Sequence, residues 1–243
     1  MRKLTLCLAY YMNAGMLVLQ FERLRALPDE LKAELAVIVV DDGSPDGDAQ
    51  GEQIGCPVSV FKIGVDIRWN QDAARNIAAH HAESRWLLLT DMDHLVPRDT
   101  MARIIEKKLS KSTVYRFSRE TLEARPAPGA PMVTTPYKPH PNSWLMTPTI
   151  WARVGGYDER FAGHYGTDAE FRDRIAKTTE IVMLEEVLVR VPREVIPDAS
   201  TTTYQRKGAP EDFGAMKRIK AQRELDPHWR PITLSFPYRR IYP

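Results

Sequence analysis

Three placements of carboxylates in this 243-residue chain could do chemistry. Asp41 and Asp42 close the apolar run Leu35-Ala-Val-Ile-Val-Val40, and Asp91 and Asp93 follow the run Trp86-Leu-Leu-Leu-Thr90. Asp168 stands at the head of a helix-like segment, Asp168–Lys177. Hard divalent cations such as Mg²⁺ or Mn²⁺ take oxygen ligands, commonly one or two carboxylates together with substrate phosphates. Acids two residues apart at the end of a rigid strand can hold such an ion, but Asp91 and Asp93 could equally cap a helix starting near Asp99. The spacing alone is weak, since Asp46-Gly47-Asp48 repeats it inside a turn. The turn from Asp42 also resembles a calcium loop, but it has Gln53 where the closing Glu is required and follows a strand instead of a helix. Asp168, preceded by Thr167, is open to two readings: a helix cap, or a general base for a hydroxyl.

The elements that must carry these acids alternate in the first half as strands and helices, the pattern of an open α/β sheet. Strands are expected at Leu4–Tyr10, Leu35–Val40, Val58–Ile63 and Trp86–Thr90. Their short β-branched or leucine-rich runs suit strands buried on both faces. Met16, Leu17, Phe21, Leu24 and Leu27 recur at helical spacing before Pro28, and Asn70–Glu83 reads as a second helix. In such a sheet, ligands bind beyond the carboxyl ends of the strands, where both acid pairs fall. The second half is less regular: a helix over 99–109, a strand over Val114–Ser118, a helix over Asp168–Lys177 and a strand over Ile181–Arg190. Between them, Glu123 to Pro148 carries seven prolines and reads as a long loop, with order resuming from Trp144 to Val154.

Bulk properties narrow the class. Hydrophobic residues make up 43% and charged residues 27%, as in an ordinary globular protein. The first residues lack a signal-peptide cleavage site and read as a buried strand, and no apolar run is long enough to span a bilayer, so a cytoplasmic protein is expected. Two unclustered cysteines, Cys7 and Cys56, make neither a disulfide framework nor a zinc site. The net charge of +2 is uneven, for residues 205–243 hold nine Lys/Arg against four Asp/Glu. The simplest organisation is one domain over 1–204, with a nucleotide-sugar-binding half (1–98) and an acceptor half (99–204). A basic extension or lid over 205–243 would follow.

In order along the chain, five segments resemble glycosyltransferase family 2 and related families of the GT-A fold. They are Val39-Val40-Asp41-Asp42-Gly43-Ser44, Asn70-Gln-Asp-Ala-Ala-Arg75-Asn76, Thr90-Asp91-Met92-Asp93, Gly155-Gly156-Tyr157-Asp158-Glu159-Arg160-Phe161, and Gly166-Thr167-Asp168-Ala169-Glu170-Phe171. The resemblance covers roughly residues 4–190. It implies a Rossmann-like, mostly parallel central sheet flanked by helices, and metal-dependent transfer of a sugar from a nucleotide-diphosphate sugar, first a UDP-sugar. Donor contacts would come from Tyr10 or Tyr11 and from Asp42 or Asp41, with Arg75 near the phosphates and Asp91 and Met92 beside them. Mn²⁺ or Mg²⁺ would sit on Asp91 and Asp93, with His228 as the third ligand. Asp168 would be the base of an inverting displacement. Acceptor contacts would come from Trp144, Gly156 and Glu170. Two departures stand out: Thr167 occupies a position where relatives often carry Glu, and Ala9-Tyr10-Tyr11-Met12-Asn13 replaces the usual Pro-x-Tyr-Asn.

The acceptor is expected to be a glycan or lipid-linked glycan. The basic, aromatic-interleaved tail admits a second possibility, a hydroxylated base in DNA, whose modification would fall steeply with salt. Two rivals within enzymes are a nucleotidylyltransferase, which would need a Gly-rich loop that Ala9–Gly15 lacks, and a retaining transferase. A catalytically inactive sugar-nucleotide-binding module is the rival outside them.

Overall fold

The computed structural model describes residues 1–127, 129–201 and 210–243. Strands β1 (Leu4–Tyr10), β2 (Leu35–Asp41), β3 (Val58–Ile63) and β4 (Trp86–Asp91) pair in parallel in the order β3-β2-β1-β4. All of β1 is buried, and its side chains alternate between two cores. Leu4, Leu6, Leu8 and Tyr10 pack on the side of helix α1 (Ala14–Arg25), whereas Cys7 and Ala9 meet helix α3 (Gln71–His81) on the other. This two-sided burial explains why the strand sequences are continuously apolar rather than alternating. A short helix, α2 (Asp29–Ala33), links α1 to β2.

Beyond β4 the chain makes β5 (His94–Leu95), helix α4 (Arg98–Glu106), β6 (Val114–Leu122), β7 (Thr134–Tyr137), β8 (Trp144–Met146), helix α5 (Pro148–Val154), a 3₁₀ turn at Glu159–Phe161, helix α6 (Asp168–Thr178) and β9 (Ile181–Arg190). The sheet continues β4-β8-β6-β9-β5, with β7 pairing to β6. Here β6 and β9 run parallel, whereas β8 is antiparallel to both β4 and β6. The expected loop over Glu123–Pro148 therefore contains two strands. Pro136 hid β7, since proline is tolerated only where a strand needs no ladder N–H on one side, as here at an exposed edge. Three residues of β8 are too few for a periodic signal.

The range 205–243, expected as a basic extension or lid, is described from residue 210 onward. Residues 202–209 lie outside the described residues; helix α7 follows at Pro210–Leu225. Strand β10 (Tyr238–Tyr242) then pairs antiparallel with β3 and closes that edge of the sheet. Just before it, the backbone N–H groups of Leu234 and Ser235 donate to the buried carboxylate of Glu159, at 2.8 and 2.7 Å. The C-terminal segment is thus part of the domain.

Candidate active site

The acids converge at the carboxyl ends of the parallel strands, but they do different work. Both oxygens of Asp41 are taken by the turn that follows, accepting from Ser44 N (2.8 Å) and Ala49 N (3.0 Å). Asp41 shapes that turn, and its neighbour Asp42 reaches the head of α3, accepting from Asn70 N at 3.3 Å. Gly43 permits this arrangement: its φ is +71°, and a Cβ there would lie 2.1 Å from the Val65 carbonyl oxygen. The turn and the end of β3 line a cavity of about 580 Å³, which Lys62, Asp66 and Arg239 also face. Tyr10 is buried with its hydroxyl donating to Gly47 O, and Tyr11 donates to Asp66 at 3.4 Å. Of the two tyrosines, Tyr11 is the one directed to the β3 loop.

At the head of α3, Trp69 holds a left-handed backbone (φ 61°), and its indole Nε1 has no hydrogen-bond partner among the described residues. The fully buried Asn70 side chain is also without one at either polar atom. Buried polar atoms are nearly always satisfied in folded proteins, so orphans at a strand-end crevice mark a place where a ligand supplies the partner.

Arg75, 1% exposed, projects from α3 onto Asp91 and lies 3.5 Å from Asp72. Burial by itself would raise the Asp91 carboxyl, but Arg75 and His140 beside it hold it well below the ordinary range. Burial pushes Asp72 up to about 7 despite Arg75, because the guanidinium bonds to Asp91 instead. His140 comes from the segment before β8; its Nε2 is 3.2 Å from Asp91 Oδ2, and its Nδ1 is 2.9 Å from Ser143 Oγ. His94, buried and 4.2 Å from His140 between ring centroids, meets Asp93 through Nδ1 (2.8 Å) and Arg119 through Nε2 (3.1 Å). A guanidinium only donates, so Nε2 of His94 is the acceptor and Nδ1 carries the proton toward Asp93. Asp91, His94 and His140 bring ligand-type atoms within 4.8 Å of one another, but with His94 engaged at both ring nitrogens the donors left for an ion are Asp91 and His140. A carboxylate beside an imidazole can hold a divalent cation.

Asp168 begins α6, and its Oδ1 accepts from Asn142 Nδ2 at 2.9 Å. Thr167 makes no capping bond through its side chain. Burial raises the Asp168 carboxyl to about 6, against the opposing pull of Arg75.

Five of the expected site residues make the following contacts. His228 is exposed, with its backbone N–H on Asp226, and lies outside the group that Asp91 forms with the two histidines. Trp144 is 0% exposed, packed edge-on to Phe171, and presents no face to a ligand. Gly156 is buried, and a Cβ there would meet Asn76, Thr233 and Trp151 at 2.8–3.0 Å, so its role is close packing under the C-terminal segment. Glu170 is 3% exposed and neutralises Arg174 (2.9 Å) and Arg223, joining α6 to α7 instead of facing an acceptor. Met92 is likewise buried, its carbonyl accepting from Gln20 at 2.9 Å, so any donor contact there falls to its backbone. Trp69, His94 and Arg119 carried no role in the sequence reading; Asn70 stood in one of the quoted segments, and His140 and Asn142 in the Pro-rich loop placed by order on the acceptor side.

The fold and the strand-end site define a GT-A protein, and the comparisons place it further. The family model Glycosyl transferase family 2 matches residues 7–120. Among solved structures, TarS 1–349 of S. aureus in complex with UDP-GlcNAc superposes with a TM-score of 0.61 at 19% identity, over 94% of this chain and 68% of that one. The mannosyltransferase PcManGT of Pyrobaculum calidifontis, in complex with GDP-Man and Mn²⁺, gives 0.56 at 16% identity, over 91% and 70%. GalNAc-T7 with UDP, GalNAc and Mn²⁺ gives 0.58 at 12% identity, over 84% and 48%. Among curated protein sequences none matches. Residues 7–120 thus match the family-2 glycosyltransferase model, and the chain as a whole has the fold of the GT-A glycosyltransferases. Among the described residues, no helix is long and apolar enough to cross a membrane.

Proposed function

We propose that this enzyme moves a sugar from a UDP-sugar to a hydroxyl of a glycan or lipid-linked glycan with inversion, using Asp168 as the general base. The observation that carries the reading is a carboxyl raised to about 6, at the head of α6 and within the field of the Arg75–Asp91 pair. Such a group is ionised at neutral pH yet basic enough to accept a hydroxyl proton as the hydroxyl attacks. Asp42, Tyr11 and the orphaned Asn70 and Trp69 polar atoms would hold the nucleoside side of the donor. Arg75 would meet the diphosphate through its Nε, which has no hydrogen-bond partner among the described residues. Asp91 and His140, with Asp93 and His94 beside them, would hold Mn²⁺ or Mg²⁺. When bound, that ion neutralises charge on the leaving diphosphate. For the alternative of a DNA acceptor, Arg239 and Arg240 would act from the edge strand β10 and not from a free arm.

The test is donor hydrolysis across UDP-, GDP- and dTDP-sugars, with Mn²⁺ or with EDTA. The expected result is metal-dependent release of UDP, lost in Asp168→Asn. Once the acceptor is found, retention of anomeric configuration in the product would overturn the inverting step. Release by Asp168→Asn at the wild-type rate would remove the base.

A further inference from the structure

Asn142 is 1% exposed and makes three hydrogen bonds to side chains. Its Oδ1 accepts from Trp144 Nε1 at 3.1 Å and from the Tyr157 hydroxyl at 2.5 Å, and its Nδ2 donates to Asp168 Oδ1 at 2.9 Å. The orientation of the amide follows from chemistry at both ends. An indole N–H can only donate, so the amide atom facing it is the oxygen. An ionised carboxylate can only accept, so the atom facing Asp168 is the amide nitrogen. Trp144 and Tyr157 are themselves fixed in the core: Trp144 is packed against Phe171 and covered by the Arg116 guanidinium, and Tyr157 is stacked on Phe171 at 3.9 Å. The chain Trp144–Asn142–Asp168 therefore runs from a rigid aromatic core to the head of α6 with one direction of donation throughout.

We infer that Asn142 is a positioning residue for Asp168: it locks one carboxylate oxygen and stabilises the ionised form, leaving the other oxygen to take the acceptor's proton. This inference rests on the reading of Asp168 as the base. It gives a joint use to an asparagine in the Pro-rich segment, the buried tryptophan of β8 and the tyrosine of the Gly-Gly-Tyr turn. The other charged groups facing Asp168 are Arg75 and Asp72 of α3, Asp91 at the end of β4 and Arg172 on its own helix, with the Tyr157 and Tyr165 phenols nearby. Asn142 adds to them a neutral donor bonded to Asp168 Oδ1. A hydrogen bond donated to the charged form lowers a carboxyl pKa, so its removal must raise it.

The experiment titrates ¹³C-carboxyl-aspartate-labelled protein by NMR, with the Asp168 signal assigned by its loss in Asp168→Asn. Asn142→Asp keeps the side chain's size and its acceptor for Trp144 and Tyr157 but turns the donor facing Asp168 into an oxygen. Asn142→Leu removes every polar contact. The expected result is a rise of about half a unit or more in Asn142→Leu and a larger one in Asn142→Asp, since a like charge adds to the lost bond. UDP hydrolysis by both variants would fall at least roughly tenfold at pH 7, with donor KM within about twofold. Trp144→Phe keeps the ring packing but removes the indole donor; it would raise the Asp168 pKa by less, and it serves as the reading if either Asn142 variant fails to fold. An unshifted Asp168 signal in the folded variants overturns the positioning role, whatever the activity. A shifted signal combined with full turnover in Asp168→Asn would instead show that the base was misassigned.

Discussion

At the residue scale, the site is organised by one buried arginine set among acids of different character. Arg75 bonds to Asp91 and so keeps it ionised, while Asp72 and Asp168 are pushed upward by burial. Catalytic turnover should therefore rise through an acid limb near pH 6 and level off above it, because the base works only without its proton. A pH–rate profile of UDP release checks this. The same raised carboxyl has a cost in stability with a definite sign. The folded state holds that proton more tightly than the unfolded chain, so its favourable contribution is complete below the ordinary carboxylate range and is lost as pH rises through about 6. Asp168→Asn should consequently be more stable than the wild type at pH 8, by about 1–2 kcal/mol, and no more stable at pH 4, as read by denaturant midpoints. Asp91→Ala should behave oppositely: it strands Arg75 in the interior and should lower stability by about 3 kcal/mol while abolishing metal-dependent turnover. The acids were legible in the sequence because rigid apolar runs end in them. His140 and Asn142 were not, since only the pairing of β8 with β4 brings irregular chain to Asp91. Trp144 could not be placed from sequence because an aromatic beside a turn looks alike in a core and on a sugar platform; its register opposite Leu89 puts it among the side chains of the α3 face.

At the scale of elements, Glu170 joins three helices. It binds Arg174 within α6 and Arg223 of α7, and Arg174 in turn donates to Val154 O at the end of α5 (2.8 Å). Glu170→Gln should weaken both ion pairs, lower the melting temperature by about 4–8 °C for a loss near 2 kcal/mol, and speed amide exchange in α7 before other helices. Gly43 is a second such point, where no side chain fits between the turn and the Val65 carbonyl. Gly43→Ala should cost about 2–4 kcal/mol and weaken UDP binding, measured calorimetrically, because the turn that Asp41 organises must move. Strands β1, β3 and β9 were readable to the residue, since each is a contiguous run closed by a turn or a change of period. Strand β10 was not, because Tyr238-Arg-Arg-Ile-Tyr242 carries charges that only an edge position tolerates, and its partner lies far off in sequence.

At the scale of the whole molecule, the C-terminal segment closes the β3 edge of the sheet. Removing residues 226–243 should expose the edge of β3 and leave the Glu159 carboxylate without Leu234 and Ser235, so the shortened protein should be aggregated or melt more than about 10 °C lower by differential scanning. The β10–β3 pairing also has a consequence in time. Arg240 hydrogen-bonds Ser59 across 181 positions of sequence, so this contact closes most of the chain into a single loop. Closure of so large a loop is entropically late, and the parallel strands it borders must stand with one edge open until it forms. Refolding should accordingly show native-like burial of β1 and β2 ahead of amide protection in β10, and the cavity beyond β3, walled partly by Arg239, should form only in the last phase.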